Sequence, residues 1–262
     1  MAYQLIQGDC LDILPTLEAG SVDAVITDLP YGNGQTACKW DSIIPLDEMW
    51  EQVKRLLKPR GAFVTTASQP FASRLIMSNV EQFRHEWVWD KQSASSPLHS
   101  RIAPKRSHES ILVFGQTGHK YNPVMWDKGK PNGNRGTAPR EFAIGCRQDY
   151  AKEFSHKADG NSRYPLSVIR LPFQVGECNN TLRVHPTQKP VALYEYLIRT
   201  YTNAGDTVLD FTMGSGTTGV AAIKEGRRFI GVELDPTYFA IAQKRIDEAA
   251  MQLPLFEMEG AA

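Results

Sequence analysis

The thirty residues 206–235, DTVLDFTMGSGTTGVAAIKEGRRFIGVELD, change pattern three times, and no other stretch limits the fold so tightly. Thr207-Val208-Leu209 is a short apolar run with β-branched residues, Gly214-Ser215-Gly216 follows it, and residues 217–223 read as the first turns of a helix. Arg228-Phe229-Ile230-Gly231-Val232 is a second strand of the buried type, and it ends on Glu233. The unit is βαβ with glycines at its turn. Glycines let a backbone approach a ligand closely, and the amides at a helix start face that ligand. An acid at the next strand end can bind ribose hydroxyls. Gly214, Gly216 and Gly219 satisfy the dinucleotide fingerprint G-x-G-x-x-G, so nicotinamide or flavin binding is one reading. A tight strand-to-helix turn with no ligand is another.

A second stretch, 21–32 (SVDAVITDLPYG), discriminates between them. Val22-Asp23-Ala24-Val25-Ile26 is strand-like, and Asp28-Leu29-Pro30-Tyr31-Gly32 punctuates its carboxyl end, where α/β sheets bind ligands. Asp-Leu-Pro-Tyr resembles the Asp-Pro-Pro-Tyr signature of S-adenosylmethionine-dependent amino-methyltransferases. Phe211-Thr212-Met213-Gly214-Ser215-Gly216 is similar to that family's F-x-G-x-G cofactor loop. The catalytic motif comes first and the cofactor loop last, which resembles the permuted, β-class DNA amino-methyltransferases of adenine-N6 or cytosine-N4 type. Gly8-Asp9-Cys10 resembles the segment near the cofactor adenine, and His185-Pro186-Thr187-Gln188-Lys189-Pro190 the segment before the cofactor strand. The resemblance covers roughly residues 5–117 and 165–248. Leu29 departs from it, standing where the signature has its first proline.

The resemblance implies S-adenosylmethionine as cofactor. Asp210, Phe211, Thr212, Gly214, Gly216 and Thr217 would line its methionine part and Glu233 its ribose. Asp9 and Cys10 would lie at the adenine, Lys189 at the carboxylate, and Asp28 beside the reacting methyl. Catalysis would fall to Asp28, Pro30 and Tyr31. Asp28 and a nearby backbone carbonyl would accept from an exocyclic amine, whose lone pair is otherwise delocalised into its ring; Pro30 would stiffen the turn. Tyr31 would stack on a base that has left the duplex, since a paired amino group is out of reach. An aspartate opening the turn favours adenine N6 by analogy, with cytosine N4 the alternative. A nicotinamide oxidoreductase and a non-catalytic DNA-binding module are more distant readings, and RNA or protein glutamine are further substrates to weigh.

Net charge is zero, yet residues 101–140 hold eight cations (Arg101, Lys105, Arg106, Lys120, Lys128, Lys130, Arg135, Arg140) against Glu109 and Asp127. Such a stretch supplies sequence-independent attraction to phosphates, as a solvated surface would also explain. Lys39, in a polar loop after the catalytic turn, joins the candidate DNA contacts. Double-stranded DNA is thus the expected partner, and the family adds a second copy of the chain and a cognate restriction endonuclease as candidates. Cys10, Cys38, Cys146 and Cys178 have no C-x-x-C pairing, and none follows a proline. That argues against a zinc site, a disulfide framework and the Pro-Cys nucleophile of cytosine-C5 enzymes.

The remaining chain alternates helix and strand, which predicts a doubly wound, mostly parallel, seven-stranded sheet with an antiparallel edge. Residues 1–117 would form the catalytic-motif half and 166–250 the cofactor-binding half of one domain. Residues 118–165, rich in glycine and proline with Tyr121, Trp126, Phe142, Tyr150, Phe154 and Tyr164 interleaved, would be an irregular target-recognition insertion. A disordered tail, 251–262, is expected. No signal-peptide pattern or membrane-length apolar run is present, so a cytoplasmic protein is expected.

Overall fold

The computed structural model describes residues 2–32, 42–95, 100–127, 162–172 and 188–259. In chain order these form β1 (Tyr3–Gln7), α1 (Cys10–Ile13), β2 (Val22–Asp28), α2 (Leu46–Leu56), β3 (Leu57–Ala67), α3 (Phe71–Ser78), β4 (Phe83–Ser95) and β5 (Arg106–Gly115). Then come β6 (Trp126–Asp127), β7 (Ser162–Arg163), β8 (Val168–Arg170), α4 (Val191–Tyr201), β9 (Thr207–Asp210), α5 (Thr217–Lys224), β10 (Arg228–Glu233) and α6 (Pro236–Glu259). The chain divides into two units, Met1–Asn122 with Ser167–Ala262, and Pro123–Leu166. The second contains the antiparallel pair β6 and β7, where the Trp126 indole donates to the Tyr164 carbonyl at 3.0 Å.

The first unit is an α/β fold around one sheet of order β1-β10-β9-β2-β3-β5-β4-β8. It is parallel from β1 to β3, antiparallel through β5 and β4, and parallel again at β8. Among the described residues the sheet has eight strands rather than seven, because Val168–Arg170 pairs along the outer side of β4. The central strands β2 and β9 are buried along nearly their whole length. Helices cover both faces of these strands, as parallel sheets require. Ala24 and Ile26 face α4, α5 and α6, whereas Val22 and Val25 face α1, α2 and α3.

Local chemistry explains the joints. Helix α2 buries Met49, Trp50, Val53 and Leu56, with Asp47 and Glu48 in its first turn and Lys54 and Arg55 in its last, both favourable to the helix dipole. Trp50 packs on Phe63 and Phe114, each with centroids 4.9 Å apart, and burying side chains of that size contributes about 2–3 kcal/mol apiece. The helix stops at Leu56 and β3 begins at once, with a bulge in its register against β2 between Val22 and Ala24. Residues after Met251, expected to be disordered, instead continue α6 to Glu259.

The third glycine of the fingerprint has a packing reason. A Cβ on Gly219 would lie 2.4 Å from Ile246 Cδ1 and 2.7 Å from a Phe229 ring carbon, so helix α5 can press onto α6 and β10 only with glycine there. Gly216 sits at φ +80, a left-handed conformation that opens α5.

Candidate functional site

Strands β2 and β9 are neighbours in the sheet although their partners Ala24 and Val208 are far apart in sequence. From β9 the chain winds through α5 to β10 on one side, and from β2 through α2 to β3 on the other. The switch between them puts the carboxyl ends of these strands where open α/β sheets form a ligand crevice. Three acids mark that edge: Asp28 ends β2, Asp210 ends β9 and Glu233 ends β10.

On the cofactor-loop side, Glu233 accepts from the Gly214 amide through Oε2 and the Asp235 amide through Oε1, both at 2.8 Å. Burial raises its pKa, against the pull of those amides. Asp210 is 2% exposed, and burial raises its carboxyl to about 6 despite hydrogen bonds from Thr218, Thr27 and the Thr212 amide. Arg245 of α6 donates to the Ser215 carbonyl and lies 3.4 Å from Thr217 Oγ1, pinning the glycine loop from behind. Phe211 corrects the expectation of a cofactor contact. Its ring is 1% exposed within the core beside α1 to α3, and it stands one residue further from Gly214 than F-x-G-x-G requires. Thr212 takes the loop position instead, its hydroxyl donating to the Asp28 carbonyl at 3.1 Å.

Asp9 caps α1, accepting from the Leu11 amide at 2.9 Å. Cys10 is buried, and burial, followed by the Asp9 charge, pushes its thiol up to about 12, which makes it a packing residue with no thiolate at neutral pH. Cys38, Cys146 and Cys178 lie outside the described residues.

At the turn after β2, the candidate catalytic motif, Asp28 Oδ1 accepts from the Tyr31 hydroxyl at 3.0 Å and from Thr66, while Oδ2 meets the Lys189 ammonium. Lys189 was expected at a cofactor carboxylate; here its side chain is 7% exposed, paired with Asp28 and 3.8 Å from Glu109 Oε2. Glu109 is paired in turn with Lys91. Tyr31 stacks on Phe71, with centroids 5.4 Å apart. Desolvation, and then the Asp28 and Glu109 charges, raise its phenol well above the usual range. Leu29, which replaces a proline of the signature, is 3% exposed and anchors the turn in the core, while Pro30 stays partly open.

The basic candidates divide. Arg101 and Lys105 are exposed in the β4–β5 connection, and Arg106 opens β5. Lys120 is corrected: its ammonium bridges Asp23 at 2.8 Å and Asp206 at 2.5 Å inside the first unit, so it is no phosphate contact. Lys39, Lys128, Lys130, Arg135 and Arg140 lie outside the described residues, as do Phe142, Tyr150, Phe154 and the His185-Pro186-Thr187 part of its motif. Among the described residues, no group of His, Cys, Asp or Glu could hold a metal ion. No helix there is long and apolar enough to cross a membrane.

Sequence reasoning missed Thr27, Thr66, Glu109 and Tyr194. Tyr194 is buried on α4, and its phenol feels the charges of Asp28 and Asp210. Each arrives from a different element, and none stands in a motif.

Comparison with known proteins agrees with this geometry. A family model described as DNA methylase, of N6 and N4 type, matches residues 22–244. The DNA adenine methyltransferase YhdJ of Escherichia coli (strain K12) is 30% identical over 263 residues, covering 95% of this chain and 84% of that protein. A crystal structure of M1.HpyAVI with SAM superposes with a TM-score of 0.62 at 26% identity, covering 93% of this chain and 98% of that one. The cytosine-N4-specific PvuII DNA methyltransferase shares the fold at 19% identity and a TM-score of 0.65, with 96% and 92% covered.

Proposed function

We propose a specific activity for this chain, which belongs to the N6 and N4 type of DNA methylase, in its permuted arrangement: methyl transfer to the N6 amino group of a flipped-out adenine in double-stranded DNA. The cofactor is S-adenosylmethionine, which supplies an electrophilic methyl on a sulfonium. The residues fit such a group: buried Asp210 and half-buried Glu233 suit its ammonium and ribose hydroxyls, and the positive-φ glycines Gly214 and Gly216 let the loop turn tightly between them. Family membership leaves the nicotinamide reading of the fingerprint without support.

The observation that carries the proposal is Asp28, an acceptor at the mouth of the crevice in contact with the cofactor loop through Thr212. Two acceptors on the two N–H bonds of an aromatic amine favour a pyramidal nitrogen whose lone pair points at the methyl. Asp28 Oδ and a backbone carbonyl of the turn provide them. Orientation for in-line attack contributes more than proton removal here, because effective molarities of positioned groups far exceed the gain from a weak base. Tyr31, backed by Phe71, offers a rigid ring for the extruded base. The unit Pro123–Leu166, with exposed Met125, Trp126, Tyr164 and Leu166, would select the DNA sequence, and Arg101 and Lys105 would meet phosphates. The relative named as an adenine enzyme supports N6 over N4.

The test is tritiated methyl transfer from S-adenosylmethionine into undermethylated genomic DNA, followed by nucleoside digestion and mass identification, beside Asp28→Ala. N6-methyladenine that disappears in the variant is the expected result. N4-methylcytosine would overturn the base, and no incorporation into DNA would overturn the substrate.

A further inference from the structure

Asp28 and Lys189 stand as one unit at the end of β2. Oδ1 of Asp28 accepts from the Tyr31 and Thr66 hydroxyls, which fills its two lone pairs. Oδ2 meets the Lys189 ammonium, and its second lone pair can take one more donor. An amine N–H received by Asp28 therefore goes to Oδ2, and it arrives as the neighbour of Lys189. The same ammonium lies 6.0 Å from the ring centroid of Tyr31, so acceptor, donor and stacking ring are gathered in one place. Holding Asp28 takes one of the three N–H bonds of an ammonium.

An acceptor beside a donor has a definite complement among the bases. On the Watson–Crick edge of adenine the amino group donates and N1, next to it, accepts; in cytosine the amino group donates and N3 accepts. Guanine and thymine carry the reverse order, a carbonyl beside a ring N–H. Enzymes that extrude a base read it by hydrogen bonds to this edge. Resting on the methyltransferase reading above, we propose that Lys189 is a base-binding residue: it donates to the ring nitrogen beside the target amino group while Asp28 Oδ2 accepts from the amine. The pair then replaces the edge that the base loses on leaving the duplex. A keto base would set its carbonyl against the carboxylate and its N–H against the ammonium, so the two groups that hold an amino base repel a keto base.

Glu109 makes a lysine tolerable there. During transfer the C–S bond breaks as the N–C bond forms. The thioether leaves neutral, and the positive charge passes to the amine nitrogen, which then loses its extra proton to solvent through Asp28. An ammonium nearby opposes that charge. Glu109 Oε2, buried and accepting no hydrogen bond among the described residues, lies 3.8 Å from the Lys189 ammonium and offsets it.

The probe is a duplex carrying the sequence methylated in the genomic assay, made with adenine or with 1-deazaadenine at the target. The analogue keeps the amino group and has C–H in place of N1; for a cytosine target, 3-deazacytosine does the same for N3. Losing the ring nitrogen makes the amine a better nucleophile and weakens the base pair, so both intrinsic effects favour the analogue. The wild type should nevertheless show a kcat/KM about 10- to 100-fold lower on it, as for one hydrogen bond from a charged donor. Lys189→Met should lose about as much on adenine, and should then treat the analogue at least as well as adenine. Its binding of S-adenosylhomocysteine, by calorimetry, should be unchanged. A wild type indifferent to the analogue would overturn the proposal, as would a preference for adenine that survives in Lys189→Met. Lost cofactor binding in that variant would reassign the lysine to the cofactor. Should Lys189→Met fail to fold, the wild-type comparison decides by itself. No methyl entering genomic DNA would overturn the methyltransferase reading instead, before any analogue is made.

Discussion

Strand β2 carries two aspartates, five positions apart, that meet the same kind of partner and do opposite things with it. Asp23, near its start, has a side chain 4% exposed; Lys120 and Lys58 take one oxygen each at 2.8 and 2.7 Å, and the Thr207 amide binds at 3.0 Å. Asp28, at its end, has a side chain 23% exposed and is held by one lysine and two hydroxyls. The Asp23 site is closed, joining the start of β9 to β2 from behind. Asp28 is partly open at the carboxyl end of β2, with partners that a substrate's N–H would join or replace in the proposed reaction. A buried ion pair saturated on every side is scaffolding, and one left with exchangeable donors is equipment for chemistry.

The largest effect should come from breaking the open end. Asp28→Asn is expected to lower single-turnover methyl transfer by about 10²–10³-fold with little change in melting temperature. Asp23→Ala should do the reverse: a loss of about 3 kcal/mol in urea titration, because two lysines and an amide lose their common anion, with the rate per folded molecule kept. An active-site defect in Asp23→Ala at full stability would erase the contrast.

Acid sharpens it. Burial works to raise the Asp23 carboxyl, but Lys120, Lys58 and the Thr207 amide outweigh it and hold it at about 2, against an ordinary 3.8. Its contribution is therefore present above pH 3.8 and is lost as pH falls toward 2. Asp210 has the opposite sign. Raised from 3.8 to about 6, it binds a proton more tightly folded than unfolded, so ligand-free stability should decline between pH 4 and 6, by up to about 3 kcal/mol, and level off above. Urea midpoints against pH should show both limbs, and Asp210→Asn should flatten only the upper one.

The smallest effects concern the basic residues. Arg101→Ala and Lys105→Ala should each weaken DNA binding a few-fold and reduce the salt dependence by about one counterion. Lys120→Ala should leave that slope alone and cost stability, as its place at Asp23 and Asp206 dictates.

Much of this was legible in the chain. The βαβ unit, the turn at Asp28 and the doubly wound sheet follow from periodicity and glycine placement, since those patterns report backbone geometry directly. Partners drawn from distant elements left no such trace. Glu109 and Lys120 sit in one basic stretch, yet Glu109 faces the catalytic turn beside Lys189 while Lys120 binds two acids at the other end of the sheet. Leu29 and Phe211 stood inside motifs and turned out to be core, because burial is decided by what packs above a residue. Charge counts over a window average away such differences.

The pairing of β1 with β10 governs how the protein can be made. Tyr3 lies opposite Phe229 and Gln7 opposite Glu233, so β1 waits for β10, the last strand in chain order among the described residues. Thr27, beside the Asp28 turn, likewise meets Asp210 only after β9 has been made. A nascent chain therefore carries its catalytic turn long before it has a crevice to serve, with an unpaired apolar edge exposed throughout. The Asp28 turn stays idle until β9 and β10 have been made.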